Sequence, residues 1–359
     1  MILSVIIWWE GTFSHLQEDL AMQHWLRLAF ACAFLPSLAG AEPLPALNLD
    51  PKATTVSGLS SGAFMAVQLQ VAFSSRVSGA GIVAGGPYDC ADHSLWRALY
   101  VCMDPFFIGP DPDSSIESME ALASENLIDP IQDVSPDRIY LFHGEADDTV
   151  ARSTMDVLRQ TYALLGVTAG NLTYVTEVDA GHGFVTEQGS VSCDATRPDF
   201  LIDCDFDQAG DILNQLYADL SRPVAPRVEG FVTFDQGQYT NGAAGMDSIA
   251  FVYIPADCAE GEICRLHIAL HGCKQGRQVL GENYARLTGY NQWAEANKIV
   301  VLYPQAVRIP SPWYNWFAGN PNGCWDWWGY SGPDYLSRNA PQLSAIARMA
   351  AAIGAPLQQ

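Results

Sequence analysis

Lysine is almost missing from this chain: Lys52, Lys274 and Lys298 are the only three in 359 residues, and the formal net charge is −22. A surface of that sign repels phosphate backbones, which argues against nucleic acid as a partner. It suits a compartment outside the cell, though plain solubility is the favoured account. Paired CxxC spacings and histidine-rich spacings are also missing, so no metal site is expected. No stretch reaches the about 18 consecutive apolar residues that read as a membrane span. There is no internal repeat and no compositional bias towards a disordered or fibrous chain.

Hydrophobic residues make up 49% of the sequence, enough for a substantial core, and the length allows one large domain or two ordinary ones. The N-terminal region reads as an export signal. Met22 to Arg27 is a short n-region with one positive charge, Leu28 to Leu38 is an apolar run too short to span a bilayer comfortably, and Ala39-Gly40-Ala41 fits a small-x-small cleavage site. Residues 1–41 are therefore assigned to the signal, with 1–21 as an extension upstream of Met22, the expected true start, and 42–359 to the mature domain. Of nine cysteines, Cys32 falls in the signal. The other eight read as disulfides in an exported chain. Sequence alone leaves their connectivity open, and short loops suggest Cys90–Cys102, Cys193–Cys204 and Cys258–Cys264, with Cys273 and Cys324 left over.

Short β-prone runs alternate with helical ones. Residues 53–57, 79–84, 138–142 and 172–178 read as strands, and 63–73 and 150–165 as helices. Residues 87–136, rich in Pro, Asp and Ser, read as an excursion or lid. Alternation of this kind predicts a parallel sheet with helices on both faces. The prolines at 223 and 226 mark a surface crossing. Beyond it, 230–234 and 249–254 read as an antiparallel pair, 266–270 and 299–303 as strands, 290–297 as a helix, and Tyr335 to Ile353 as the last helix.

Chemistry enters at Gly58-Leu59-Ser60-Ser61-Gly62, a GxSxG sequence between a strand and a helix. That pattern is the nucleophile elbow, a sharp turn that lifts a serine hydroxyl above a sheet. A serine needs a base, and the base needs an orienting acid. His182, flanked by glycines in Asp179-Ala180-Gly181-His182-Gly183-Phe184, is the candidate base. The acid should lie between them in sequence, and Asp147 and Asp148 are both available. We choose Asp147, leaving Asp148 to cap the following helix. Charge that develops on a carbonyl oxygen needs preorganised N–H donors. The amide of Ser61 is one candidate, and the Cys273 amide in the strand-following loop His271-Gly272-Cys273 is the other. That loop ordinarily precedes the elbow, yet here it lies far downstream of Ser60. Circular permutation of an α/β-hydrolase explains the order, with both halves forming one sheet and hence a single domain.

Taken together, the segments SGLSSGAFMAVQL, HGEADDTV, DAGHGF, LHIALHGCKQ and NGCWDWWGY resemble the extracellular poly(3-hydroxybutyrate) depolymerases, in particular the circularly permuted catalytic domain of the fungal single-domain type and its bacterial relatives. The resemblance covers most of residues 42–359. It implies a Ser60, Asp147, His182 triad, an oxyanion hole from the Ser61 and Cys273 amides, no cofactor, and hydrolysis of a polyester or its oligomers. Many bacterial relatives carry a separate polymer-binding domain, which residues 42–359 do not include; efficient attack on crystalline granules is therefore not implied. Tryptophans at 313, 316, 325, 327 and 328, with Tyr314 and Phe317, add flat rings suited to an ester chain. Trp327 and Trp328 are the candidate substrate contacts, with core packing around Cys324 as the alternative. We expect a secreted monomer, extracellular or periplasmic. A secreted feruloyl or acetyl carbohydrate esterase, and a non-catalytic polymer-binding protein, are the rival functions. N-terminal sequencing of the exported chain should begin at about Glu42; a start near Met1 would overturn the signal assignment.

Overall fold

Runs of Val, Ile, Leu and aromatic residues bounded by Gly, Pro and Asp form the strands of this fold, as their β-propensity dictates. The structure is a computed structural model that describes residues 42–313, 315 and 319–358. The export signal and its upstream extension, and Tyr314, Trp316 and Phe317, lie outside the described residues. The strands are β1 (Leu49–Leu59), β2 (Val77–Val83), β3 (Arg138–Phe142), β4 (Leu172–Val175), β5 (Phe184–Val185), β6 (Val191–Ser192), β7 (Leu201–Asp203), β8 (Phe231–Asp235), β9 (Ile249–Tyr253), β10 (Cys264–Leu270) and β11 (Ile299–Tyr303). The longer helices are α1 (Ser61–Ala72), α2 (Pro112–Ser124), α3 (Arg152–Leu164), α4 (Gln208–Leu216), α5 (Tyr290–Asn297) and α6 (Pro341–Ile353).

One eight-stranded sheet runs β4-β3-β2-β1-β10-β11-β9-β8. It is parallel from β4 to β11, and β9 and β8 join it antiparallel. Counted from β8 and then onward from β1, the strands cross the sheet in the order first, second, fourth, third, fifth, sixth, seventh, eighth. That is the α/β-hydrolase order with the chain opened between the fourth and fifth strands, the circular permutation expected from the motif order. An exposed crossing at 221–229 joins the two halves. No described helix is long and apolar enough to cross a membrane.

Both faces of the sheet are buried, so its strands read as nearly continuous apolar runs. On one face Val56, Ile82, Leu141, Ile268 and Leu302 pack under α1, α3 and α6. On the other, Phe142, Ala269, Val301 and Tyr303 pack under α4, α5 and a small sheet of β5, β7 and β6. Helix α1 is buried along its entire length, which is why its sequence is mostly apolar on every side rather than amphipathic.

Several expectations need correction. The last helix starts at Pro341 rather than Tyr335, because proline, lacking an N–H, fits the first helical turn and not the interior. The strand expected at 53–57 extends back to Leu49, past an irregularity in its pairing with β10. The small sheet was not foreseen, since strands of two or three residues carry no readable period. The 87–136 excursion holds short helices, including a π-helical turn at Ala98–Met103, and α2. The disulfides formed are Cys90–Cys102, Cys193–Cys204, Cys258–Cys264 and Cys273–Cys324.

The polar residues of α1 are satisfied individually. Gln70 donates to Asp137 Oδ2 at 2.7 Å and accepts from the Tyr162 hydroxyl at 2.7 Å. Burial, aided by nearby Asp133, pushes the Asp137 carboxyl up to about 8 against the pull of Gln70. A carboxyl raised in the folded state binds its proton more tightly there than in the unfolded chain. Its contribution to stability is full below the ordinary carboxylate value, declines as pH rises, and is gone once pH passes about 8. Asp137→Asn should therefore raise the melting temperature more at pH 8 than at pH 5. Equal shifts at both pH values, followed by circular dichroism, would refute this.

Candidate active site

Ser60 is the turn residue between β1 and α1, and its backbone has φ 56° and ψ −121°. A non-glycine residue held there carries strain of about 1–3 kcal/mol, sustained only because the surroundings over-determine it. The surroundings are close. A Cβ on Gly58 would sit 2.2 Å from the Gly62 carbonyl oxygen, and one on Gly62 would sit 2.4 and 2.5 Å from the Leu270 and His271 oxygens. The two glycines of the motif are thus required by contact with backbone. The Ser60 amide donates to Val83 at 2.9 Å, and the Ser60 carbonyl accepts from Ala63 and Phe64 at 2.8 and 3.0 Å.

His182 is buried with its Nδ1 2.8 Å from Asp147 Oδ2. A carboxylate only accepts, so in the neutral ring Nδ1 carries the proton and Nε2 is left as the acceptor. The other Asp147 oxygen accepts from the amides of Thr149 and Val150 at 2.8 and 3.1 Å. Burial pushes the Asp147 carboxyl up, but the hydrogen bond and charge of His182, with those two amides, hold it below its ordinary value. Asp148 is exposed. It does not cap the next helix, which begins a turn later at Arg152 with Ala151 as an uncapped start. Asp147 itself bonds the amides that follow it, those of Thr149 and Val150.

The loops that carry Asp147 and His182 are laced together. Glu145 and Ala146 donate to Val178 and Ala180, and a Cβ on Gly144 would fall 2.0 Å from the Ala180 oxygen. The His182 amide donates to Thr196 Oγ1 at 2.8 Å, and the Gly181 amide donates to Cys193, itself bonded to Cys204.

Ser60, His182, Cys273, Trp327 and Trp328 line one cavity of about 530 Å³, and Asp147 stands behind His182. Ser61 opens α1, so its amide is one of those that intrahelical bonding leaves free. Neither the Ser61 nor the Cys273 amide donates to a protein acceptor among the described residues. Cys273 is tied to Cys324, and through it to the tryptophan segment. Trp327 stacks on Phe64 of α1 with ring centroids 4.0 Å apart, and Trp328 meets Trp327 edge-on. Both rings are largely buried and both face the cavity, so packing and lining coincide. Trp325 is fully buried beside His271 and does not line it, and Trp313 is exposed.

Four residues support the site in ways that the sequence reading does not assign. His271 accepts from the Ala306 amide at Nε2 and donates from Nδ1 to the Gly272 carbonyl, at 3.0 and 2.7 Å. Burial takes its ring down to about 4, against the pull of the Gly272 carbonyl and Asp247, so it braces the loop as a neutral group. Gln275 accepts from the Gly272 amide and donates to the Asp199 and Phe200 carbonyls. His143 holds the loop carrying Asp147 closed through the Val150 carbonyl at 2.8 Å. Asp326 accepts from the amides of Trp328, Gly329, Tyr330 and Ser331, which shapes the tryptophan turn. Of these only His271, inside the HG loop, carried a sequence signal.

Gly58→Ala should destabilise the fold by about 3 kcal/mol, since the backbone it meets has no room to move. Gly242→Ala, at φ 76° with nothing within 4 Å, should lose only about 1 kcal/mol. Equal losses in urea titrations of the two variants would remove the steric account of the elbow.

No family model matches the chain. A poly(3-hydroxybutyrate) depolymerase of Delftia acidovorans is 39% identical over 327 residues, covering 89% of this chain and 63% of that protein, so the chain spans less than two thirds of that relative. A polyhydroxybutyrate depolymerase of Talaromyces funiculosus is 35% identical over 337 residues, covering 92% of this chain and 96% of it. Among solved structures, a PHB depolymerase variant complexed with an R3HB trimer matches with a TM-score of 0.78 at 36% identity, over 87% of this chain and 98% of that one. With agreement of this extent along both chains, in sequence and in fold, the protein belongs to the polyhydroxybutyrate depolymerase family.

Proposed function

We propose that the chain is a secreted serine esterase that cleaves poly(3-hydroxybutyrate)-like polyesters and their oligomers through an acyl-enzyme. The observation that carries this reading is the buried Asp147–His182 pair, 2.8 Å apart, on the wall of the cavity that Ser60 also lines. In the proposed cycle His182 Nε2 takes the Ser60 proton as the hydroxyl attacks an ester carbonyl. The Ser61 and Cys273 amides receive the developing oxyanion, and His182 then protonates the departing alcohol. Water repeats the sequence on the 3-hydroxyacyl serine. Trp327 and Trp328 supply flat apolar contact to the chain.

A polymeric partner is supported by the surface beside the cavity. The segment that walls it with Leu95, Leu99 and Met103 also exposes Trp96, Tyr100, Phe106, Phe107 and Ile108, the last three at 76%, 90% and 69%. Apolar groups so concentrated mark a contact surface for something apolar. The relative solved with an R3HB trimer supports the same substrate class. Four disulfides support export to an oxidising compartment, where such bonds persist.

Ser60→Ala should abolish release of 3-hydroxybutyrate from amorphous polyester without unfolding the protein. Asp147→Asn should lower kcat by about 10⁴-fold through the wrong imidazole tautomer, while Asp148→Asn should stay within about twofold. Full activity in Ser60→Ala, or a larger loss at 148 than at 147, would refute the assignment. Release of ferulate from a plant polymer, with none of hydroxybutyrate from polyester, would move the chain to the carbohydrate esterases.

A further inference from the structure

Among the described residues the cavity lining contains no aspartate or glutamate, in a chain that carries 40 of them. It does contain Lys274, one of only three lysines. Asp199, next to the lining residues Pro198 and Phe200, accepts from the Ser190 hydroxyl at 2.9 Å. Lys274 is exposed, and no carboxylate of the described residues pairs with it, whereas Lys298 is held by Asp257 and Glu262. It directly follows the Cys273 amide. Its own amide donates to the Asn322 carbonyl at 2.7 Å, and the Cys273–Cys324 bond clamps the same loop, so the root of the side chain is fixed at the cavity wall. From there a flexible four-carbon stem carries a strongly hydrated point charge with three donors.

We infer that Lys274 receives the free carboxylate at the acid end of an oligoester, close to the bond being cut; the inference rests on the esterase reading of this cavity. The chemistry makes such anions unavoidable. Each hydrolysis of a polyester of hydroxyacids leaves a new carboxylate, so every oligomer presented for a later round is an anion. A protein of net charge −22 repels it at long range. A lining free of carboxylates that includes one lysine offers such an anion a local counter-charge. In the acylation step the carbonyl-carbon to alkoxy-oxygen bond of the tetrahedral intermediate breaks. Its electron pair stays on the alkoxy oxygen, which takes the proton His182 received from Ser60. The departing hydroxyacid keeps its carboxylate ionised against Lys274 throughout, so the lysine neither gains nor loses a proton. It acts on recognition of acid-terminated chains rather than on bond cleavage.

The test uses the 3-hydroxybutyrate dimer as its free acid and as its methyl ester, which differ in charge at the acid end. The native enzyme should favour the free acid in kcat/KM. Lys274→Gln should lower the acid-to-ester ratio about fivefold, mainly through KM of the acid. Lys274→Arg should restore the ratio, and high salt should collapse it in the native enzyme, since the contact is solvent-accessible. A ratio that Lys274→Gln leaves unchanged, with both dimers still hydrolysed, overturns the lysine assignment alone. So does an equal fall for both dimers, which is what a merely structural residue would give. Failure of the native enzyme to hydrolyse either dimer overturns the inference, and failure on amorphous polyester as well overturns the esterase reading itself.

Discussion

The site rests on a contact in which side chains take no part: the backbone at the start of α1 lies against the backbone at the end of β10. Only the missing Cβ of Gly62 lets the Leu270 and His271 carbonyls approach, and only the missing Cβ of Gly58 lets the elbow close on itself. That contact brings the Ser60–Ser61 peptide beside the loop at 271–273, although the two are far apart in sequence. The register beneath it is fixed just as firmly. Thr55 and Ser57 of β1 bond the two ring nitrogens of His267 on β10, each at 2.8 Å, and Tyr217 and Tyr290 close the network. Burial takes the His267 ring down to about 3, so it holds these hydroxyls as a neutral group. A slip of one residue would turn these polar groups into the apolar face and Val56 into the polar one.

Permutation gives that contact its consequence for folding. In chain order β1 is made first and has β2 on one flank, while its other flank waits for β10, which follows most of the chain. An unpaired central strand is a template for wrong pairing. The long interval is spanned by elements with their own closure: β2 to β4 with α3 and α4, and loops sealed by the Cys90–Cys102 and Cys193–Cys204 disulfides. Cys273–Cys324 then fixes the late segment, so the tryptophan turn reaches α1, where Trp327 stacks on Phe64.

Strands β3 and β11 and helix α5 are legible to the residue in the sequence, because each is an apolar or helical run cut off by Gly, Pro or a change of polarity. The permuted order is legible too, since the elbow and the HG loop stand in the wrong sequence for an ordinary α/β-hydrolase. The small sheet, the late start of α6 and the exposed, non-capping position of Asp148 are not. Two-residue strands have no period, and the terminal turn around Tyr335 is held by Asp89 from another part of the chain. Asp147 and Asp148 are chemically equivalent until the fold buries one against His182 and exposes the other. Gln275 and Asp326 were invisible for the same reason: their function lies in which backbone amides surround them, and a sequence does not show surroundings.

These surroundings share one electrostatic character. Around the cavity the buried polar groups are neutral or fully enclosed by donors: His271 uncharged, Gln275 an amide, Asp326 ringed by four N–H groups. Asp147 is likewise held by two amides and the imidazole. Ion pairs would have brought charges that reorient when a new charge appears nearby. Amides fixed by backbone and disulfides do not reorient, so in the proposed cycle the N–H groups of Ser61 and Cys273 would meet a developing oxyanion without rearranging. The strain at Ser60, the close glycine contacts and the buried neutral histidines then serve one physical end: a site whose dipoles are set by folding rather than by the substrate.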